Sequence, residues 1–570
     1  MNAVKVDKVV KTPQQGGLRQ AMAWLHTWSG LWISWLLFAI FLTGTLAVFD
    51  DQISHWMTPE HALEEAAHAN DPPQPKVTDR GRRLELALDF MAKEHPKADM
   101  WEIWPVQRPG HGLSAYWFQP SGGYGSADLD PLTGAVVEHA REANARETIA
   151  GHHFVDFHYE LHAGRIGVWI VGITTMIMLV ALVSGVITHK RIFKDFFTFR
   201  PAKGQRSWLD AHNAVAVLTL PFQFMIAYTG LAFFSDDYVP APVVAQYGMD
   251  NAKKAFLADW NDVGKPGKPG KTGQPLAIPA LEPFAQRAEQ AIGQDIRAVV
   301  LDNPNDASMR VCMYGWNEDT DTMERLSANT GRACYALATG EQVALRLPGE
   351  SDTGGAGLTR SVMSNLHMAG FGGTPMRWLY FFCGLAGTAM MGTGAILFMV
   401  KRRQKSGAEF GACTQRVYRV IACLNVAAIA GLSIACIGYL WANRLIPVGI
   451  EHRAGLEVRA FFGVWFVMLV HACLRAEKRA WIEQLCLLAA LCLLLPVLNV
   501  LSTGDNLMAQ FARSDWESAG VELCSVAFGL LAAWGARKVH KRNEQTQKRA
   551  AGKESAASSA SLHVTTEGQS

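Results

Sequence analysis

The chain is 570 residues long, 49% hydrophobic and only 18% charged, below the roughly 25% charge usual in soluble domains. Several apolar runs reach the ~20 residues that cross a bilayer, which excludes a soluble globular protein and makes this a polytopic membrane protein. The net charge of +2 names no partner, and nucleic acid is not expected among them.

Residues 1–23 carry Lys5, Lys8, Lys11 and Arg19 ahead of a first apolar span at 24–49. That span is too long for a signal h-region and lacks a small-residue cleavage site, so it reads as an uncleaved anchor. Further spans are expected at 166–188, 208–234 and 376–400, then at about 418–440, 459–475, 481–501 and 518–537 within a C-terminal four-span module, 418–537. Basic clusters follow at Lys190 to Arg206, Lys401-Arg402-Arg403, Arg475 to Arg479 and Arg537 to Arg542. These are alternate loops, so the positive-inside rule puts them all, with both termini, in the cytoplasm.

Two polar segments, 50–160 and 235–365, then fall outside, and they share a plan. The first has helical periodicity over Gly81–Glu94, strand-like pieces at Met100–Val106, Ser114–Gln119 and Ala135–Glu138, and a turn at Asp130-Pro131-Leu132-Thr133-Gly134. The second repeats this with Leu281–Ile292, Ile296–Asp302, Ser308–Tyr314 and Thr322–Ser327, and the turn Asn329-Thr330-Gly331. A helix and a meander, twice, each between two spans, mark an internal duplication. Gly270-Lys271-Thr272 invites comparison with a phosphate-binding loop. The glycine that such a loop needs five residues earlier is Lys265, so the stretch reads as a Pro/Gly/Lys linker. Residues 543–570, rich in Ser, Ala and Lys, read as a disordered cytoplasmic tail. Of ten cysteines, eight lie in or beside spans without CxxC spacing. Cys312 and Cys334 share the second outer segment, where an oxidising compartment permits pairing.

The stretch His152–Gly167, HHFVDFHYELHAGRIG, opens straight into the second span. His158 and His162 are four apart and share a helix face. Asn365-Leu366-His367-Met368-Ala369-Gly370 repeats the feature before the fourth span. Histidines at matching depth on different helices are what a bis-imidazole haem needs. His158 and His162 are also conceivable zinc ligands, but a closed site needs about four donors and no carboxylate or Cys completes it nearby.

Two helix–external domain–helix units, the Trp24-Leu25-His26-Thr27-Trp28-Ser29-Gly30 start to the first span, and His189-Lys190-Arg191-Ile192-Phe193 resemble the PepSY-associated transmembrane family. Trp208-Leu209-Asp210-Ala211-His212 departs from the pattern in lacking the following glycine. The resemblance spans about 20–405. It implies an eight-span α-helical membrane protein with two periplasmic PepSY-like α+β domains inserted between spans 1–2 and 3–4. It further implies a multi-pass protein of the bacterial inner membrane, and, as in some family members, a haem-containing reductase of ferric siderophores.

Under that resemblance the histidines form two layers. His26, His189 and His212 lie on the cytoplasmic side, and His158, His162 and His367 on the periplasmic side. His162 and His189 are 27 residues apart, roughly 40 Å of helix, so two b haems are expected, one per leaflet. The duplication pairs His26 with His212 and His162 with His367. His152 and His153 are expected to be exposed, and His471 and His452 to be ordinary interfacial residues. Trp24, Trp28, Trp32 and Trp35 read as interfacial belt and packing, and Met390-Met391 with Gly384, Gly387, Gly392 and Gly394 as helix-packing surface. No GxGxxG follows a strand, so no intrinsic FAD or NAD site is expected.

The expected activity is haem-dependent transmembrane electron transfer to a periplasmic ferric chelate or siderophore, fed by quinol or a cytosolic flavoprotein. Trp101, Trp104, Trp117 and Trp316 are candidate chelate contacts. Two rival readings stand beside it. One is a haem-free regulatory or binding membrane protein. The other is an iron or cofactor transporter, for which Gln223, Asn425 and Asn499 are the main polar span residues.

Overall fold

A computed structural model of the chain describes residues 17–60, 79–105, 113–119, 123–137, 146–188, 205–250, 252–256, 267, 269–317, 325–405 and 411–566. Eight of the described helices are long and apolar enough to cross a membrane. They are span 1 (Leu18–Ala47), span 2 (Gly164–Thr188), span 3 (Ser207–Phe233), span 4 (Gly373–Val400), span 5 (Gly411–Leu445), span 6 (Arg453–Leu474), span 7 (Glu477–Thr503) and span 8 (Trp516–Gln545). Each overlaps one expected from hydropathy. Outside them lie the helices α1 (Asp50–Met57), α2 (Arg80–Glu94), α3 (His152–Glu160), α4 (Glu282–Ile292) and α5 (Gly354–His367). The strands are β1 (Met100–Trp104), β2 (Leu113–Phe118), β3 (Tyr124–Leu129), β4 (Ile296–Asp302), β5 (Arg310–Gly315), β6 (Arg332–Ala336) and β7 (Glu341–Arg346). The chain divides into a membrane unit (1–59, 147–227 and 381–570) and a second unit (60–146 and 228–380).

The membrane unit packs α1 and α3 with the spans around Leu37, Phe38, Phe154, Phe157, Leu432, Tyr439 and Phe461. Span 5 is its most enclosed helix, and it contains a π turn at Ala427–Gly431. Such a turn pushes carbonyls out of the helical ladder, and Ala427 O accepts Trp465 Nε1 at 2.9 Å. Two residues earlier, Trp35 Nε1 of span 1 donates to Asn425 Oδ1 at 2.7 Å. Asn425 is thereby spent on packing. Arg444 and Arg453 are buried at the end of span 5 and the start of span 6. Arg444 donates to the carbonyls of Trp56 and Met57 on α1 and to Asn499 Oδ1. Arg453 pairs with Glu457, one turn along span 6. Span 8 continues as helix to Thr566, so the expected disorder from Asn543 is corrected. Its Ala, Lys, Glu and Gln residues, interspersed with Ser and Thr, favour helix even without an apolar stripe.

The second unit contains one seven-stranded antiparallel sheet, ordered β3-β2-β1-β4-β5-β6-β7. The two expected outer domains are therefore halves of a single sheet, joined where Trp101 faces Leu301 and Ile103 faces Val299. These four side chains point to one face, where Leu84, Ala87 and Met91 of α2 and Ala285, Ala288 and Ile292 of α4 cover them in a common core. Arg80 on α2 binds Glu282 of α4 through Nε at 2.9 Å and Nη2 at 2.7 Å, and also pairs with Glu289. Cys312 and Cys334 face each other across β5 and β6 and form a disulfide.

The strand expected at Ala135–Glu138 is absent as far as Val137, leaving only a bridge from Val136 to Leu129. The third strand of that half is instead Tyr124–Leu129. Half of Thr322–Ser327 lies outside the described residues, the described part, 325–327, is not strand, and β6 and β7 follow it. At the linker, the Thr272 and Gly273 amides donate to Asp306 at 3.0 and 2.7 Å, so an acidic side chain already fills that turn.

Candidate functional site

His26 lies in the first third of span 1 and His212 near the start of span 3, within the membrane unit. His26 Nδ1 meets Ala181 O of span 2 at 2.8 Å, and His212 Nδ1 meets Met390 O of span 4 at 3.1 Å. A carbonyl only accepts, so Nδ1 carries a proton in each ring, which in a neutral imidazole leaves the lone pair on Nε2. Each ring is also seated on a glycine. A Cβ on Gly185 would lie 3.1 Å from His26 Cε1, and one on Gly394 3.3 Å from His212 Cε1. The two ring centroids are 6.5 Å apart with 61° between planes.

Those numbers permit a test of fit to haem. A metal–imidazole bond of about 2 Å, plus about 1.1 Å from ring nitrogen to centroid, separates two rings across one metal by roughly 6.2 Å. His26 and His212 meet that spacing. Their Nδ1–H···O=C bonds are the usual outer support of a ligating histidine. The cavity that holds both rings is walled by Leu31, Leu37, Met178, Leu182, Met391 and Phe398, with Thr27 and Asn213 among its polar groups. Two neutral imidazoles in an apolar slot suit a b-type haem.

The same construction recurs at the opposite ends of these spans. His158 Nδ1 meets Ile40 O at 2.8 Å, and a Cβ on Gly44 would lie 2.5 Å from that nitrogen. In the second unit His367 Nδ1 meets Thr229 Oγ1 at 3.2 Å, and a Cβ on Gly230 would lie 2.8 Å from His367 Cε1. One offset of 186 residues relates His26 to His212 and Gly44 to Gly230. Another, of 209, relates Ala181 to Met390, Gly185 to Gly394 and His158 to His367. The repeat partner of His367 is therefore His158, and the expected pairing with His162 is out by four residues, one helical turn.

His162 does something else. Its Nε2 lies 2.8 Å from His153 Nδ1, and its φ of 51° places it in the tight corner between α3 and span 2. His153, expected to be exposed, is completely buried and stacks on Tyr439 at 4.2 Å. Burial, with His162 beside it, pushes His153 down to about 3, so it is neutral at physiological pH. His152 is exposed as expected. His189 lies outside the described residues. His471 has Glu483 at 2.9 Å on Nε2 and Gln484 at 3.3 Å on Nδ1. Among the described residues no three His, Cys, Asp or Glu side chains gather as a metal site. Trp101 is core and Trp117 stacks on His95 at 3.6 Å. Trp104 and Trp316 instead flank Arg297, at 4.4 and 3.9 Å from its guanidinium carbon.

The signal that separates His158 from His162 is present in the chain. His158 stands six residues before Gly164, the first residue of span 2, as His367 stands six before Gly373, the first of span 4. No sequence signal marks His153 as buried, because Tyr439 and Phe461, which cover it, come about 300 residues later.

Four spans in two repeats, each repeat carrying glycine-seated histidines, followed by four further spans, define a duplicated histidine-bearing membrane protein. The family model of the PepSY-associated TM region matches residues 23–401, and the chain belongs to that family. No curated protein matches the sequence significantly. The family match takes in spans 1–4 and every strand of the sheet, and leaves spans 5–8 outside.

Proposed function

We propose that this chain is a haem-b-dependent membrane oxidoreductase that passes electrons outward to a ferric chelate, such as a siderophore, at the bacterial inner membrane. The observation that carries this reading is the His26–His212 pair in one apolar cavity, with ring centroids 6.5 Å apart. These two residues would hold a b-type haem, which when bound supplies reversible one-electron chemistry. The carbonyls of Ala181 and Met390 hold both imidazoles in one tautomer, and Gly185 and Gly394 leave the rings room beside the helices. The apolar walls keep water out and favour neutral ligands. His158 in the membrane unit and His367 in the second unit are each seated on a glycine, and each is by itself a candidate haem ligand.

Chelate reduction suits this arrangement chemically. Ferric iron is hard and tightly held by oxygen donors, and ferrous iron is held far more weakly, so reduction releases it. With the basic loops inside, electron flow outward is helped by an inside-negative potential, about 2.3 kcal/mol per 100 mV per charge. Of the four tryptophans considered as chelate contacts, Trp104 and Trp316 beside Arg297 keep the aromatic and cationic surface that an anionic chelate would use.

The test is the visible spectrum of the detergent-solubilised protein, oxidised and dithionite-reduced, with a pyridine haemochrome count. A reduced b-type spectrum in the parent and its loss in His26→Ala and His212→Ala support the reading. Absorbance that survives in those variants belongs to other histidines. A colourless protein, made with ample haem supply, overturns the reading and leaves a haem-free binding protein in its place.

A further inference from the structure

Spans 5–8 lie outside the family match, and they carry a second cavity, of about 780 Å³, where spans 5, 6 and 7 come together. It opens at the end of the bundle shared by His26 and His212. His26 and His212 lie near the starts of spans 1 and 3, and the cavity is formed by the start of span 5, the end of span 6 and the start of span 7, which alternation puts at that end. Its mouth is polar, with Gln415, Arg419, Arg475 and Glu477. Its depth is apolar, walled by Tyr418, Ala422, Val426 and Ala472.

The lining narrows the ligand. Arg475 is held by Glu483, through Nε at 2.9 Å and through Nη2. A neutral head with carbonyl or hydroxyl oxygens finds donors in Gln415 and Arg419 and an apolar recess for its tail. The position then assigns a use. Tyr418 and Ala422 line this cavity and pack in one cluster with Leu31 and Phe398, and those two line the His26–His212 cavity. That cluster lies between the two cavities.

We propose that this cavity binds a membrane hydroquinone and is the entry point for electrons, an inference that rests on the haem reading above. Oxidation breaks two O–H bonds of the hydroquinone and leaves the quinone. Its two electrons would leave one at a time past Tyr418 towards a haem held by His26 and His212, the first passing on to the outward ferric chelate before the second follows. Its two protons pass to the Glu477 carboxylate at the mouth and on to water.

The experiment uses the full-length protein in detergent. Decylubiquinone binding is measured by isothermal titration calorimetry in the parent, in Ala472→Trp, which fills the recess, and in Arg419→Gln, which removes a donor at the exposed mouth. Haem reduction by decylubiquinol is followed in parallel. Saturable binding in the parent, weakened about tenfold or more in both variants, together with slower haem reduction by decylubiquinol but an unchanged dithionite-reduced spectrum, is the expected result. Arg419→Gln keeps the test intact if Ala472→Trp does not fold. Equal binding in parent and Arg419→Gln overturns the proposal. So does binding to phosphatidylglycerol vesicles without binding to decylubiquinone, which makes the cavity a lipid site. A haem-bearing protein that binds no quinone removes this site and leaves the haem reading standing. A colourless protein that binds decylubiquinone in the expected variant pattern keeps the cavity as a quinone site and removes the haem reading.

Discussion

Each of the four glycine-seated imidazoles occupies space that a methyl group on the facing helix would take, and the margins differ. Alanine in place of glycine in a helix gains about 0.5–1 kcal/mol of propensity. Forcing a well-packed contact costs about 1–3 kcal/mol. At Gly394 the new Cβ would lie 3.3 Å from His212, so the two effects nearly cancel and Gly394→Ala should melt close to the parent. At Gly44 the distance is 2.5 Å to His158 Nδ1, and overpacking wins. Gly44→Ala should lower the thermal midpoint in detergent, with Gly230→Ala, at 2.8 Å, between the two. The reverse order would mean that these rings move aside at no cost and that the glycines serve only helix approach. The histidines themselves were legible from their depth in the chain. Gly394 was legible only as a packing residue, because its partner, His212, lies 182 positions earlier. The one-turn slip between His158 and His162 has a plain cause. Both stand on one face of a helical pattern, and periodicity cannot choose between neighbouring turns.

Elements were legible where local pattern suffices and hidden where pairing decides. α2, α4, β1, β2 and β4 follow from their periodicity and fall within a few residues of expectation. β3, Tyr-Gly-Ser-Ala-Asp-Leu, has poor strand formers, and it is held in the sheet by six paired positions on β2. Its Gly125 lies under Trp117, where a Cβ would come within 2.5 Å of the ring. The β1–β4 joint was invisible because its partners are some 200 residues apart and neither strand announces an edge. The Arg80 clamp binds the two halves above that joint. Arg80→Ala should strip Glu282 and Glu289 of their cation and cost about 1–3 kcal/mol, since the groups are only partly buried. Hydrogen bonding to Arg80 holds the Glu282 carboxyl below its usual range. A depressed carboxyl contributes stability above its unfolded value of about 4.3, and that contribution disappears as pH falls through the carboxylate range. The deficit of Arg80→Ala against the parent should therefore be full at pH 7 and shrink towards pH 3 in thermal melts. A deficit independent of pH would assign the effect to lost packing of the arginine stem. The disulfide adds a separate constraint. Cys312 and Cys334 are 22 residues apart, and opening a loop of that size is worth roughly 2–4 kcal/mol. Cys312→Ala/Cys334→Ala should lose about that much in unfolding of the parent under non-reducing conditions.

At the scale of the whole molecule, hydropathy found spans 5–8 but could not say what holds them to the rest. Arg444, Arg453 and Glu457 lie between the expected spans 418–440 and 459–475. Their burial comes from α1 and residues 147–150, which close over them. Arg453 Nη1 donates to Glu147 O at 3.1 Å, Thr148 Oγ1 to Glu457 Oε2 at 2.5 Å, and Asn443 Nδ2 to Glu457 Oε1 at 2.8 Å. The Arg453–Glu457 pair is 1% and 0% exposed. Removing one member of a buried pair strands the other charge, at roughly 3–5 kcal/mol, whereas replacing both by apolar groups of like volume is often close to neutral. Arg453→Met alone should therefore destabilise the protein severely in detergent melts, and Arg453→Met/Glu457→Leu should recover most of the loss. That recovery would show that the lock is a matter of charge balance. Arg453 also caps Asn443 O and Glu147 O, and those carbonyls lose their donor in both variants. If the double variant melts as low as the single one, the carbonyl caps, and not the ion pair, hold the last four spans to the first.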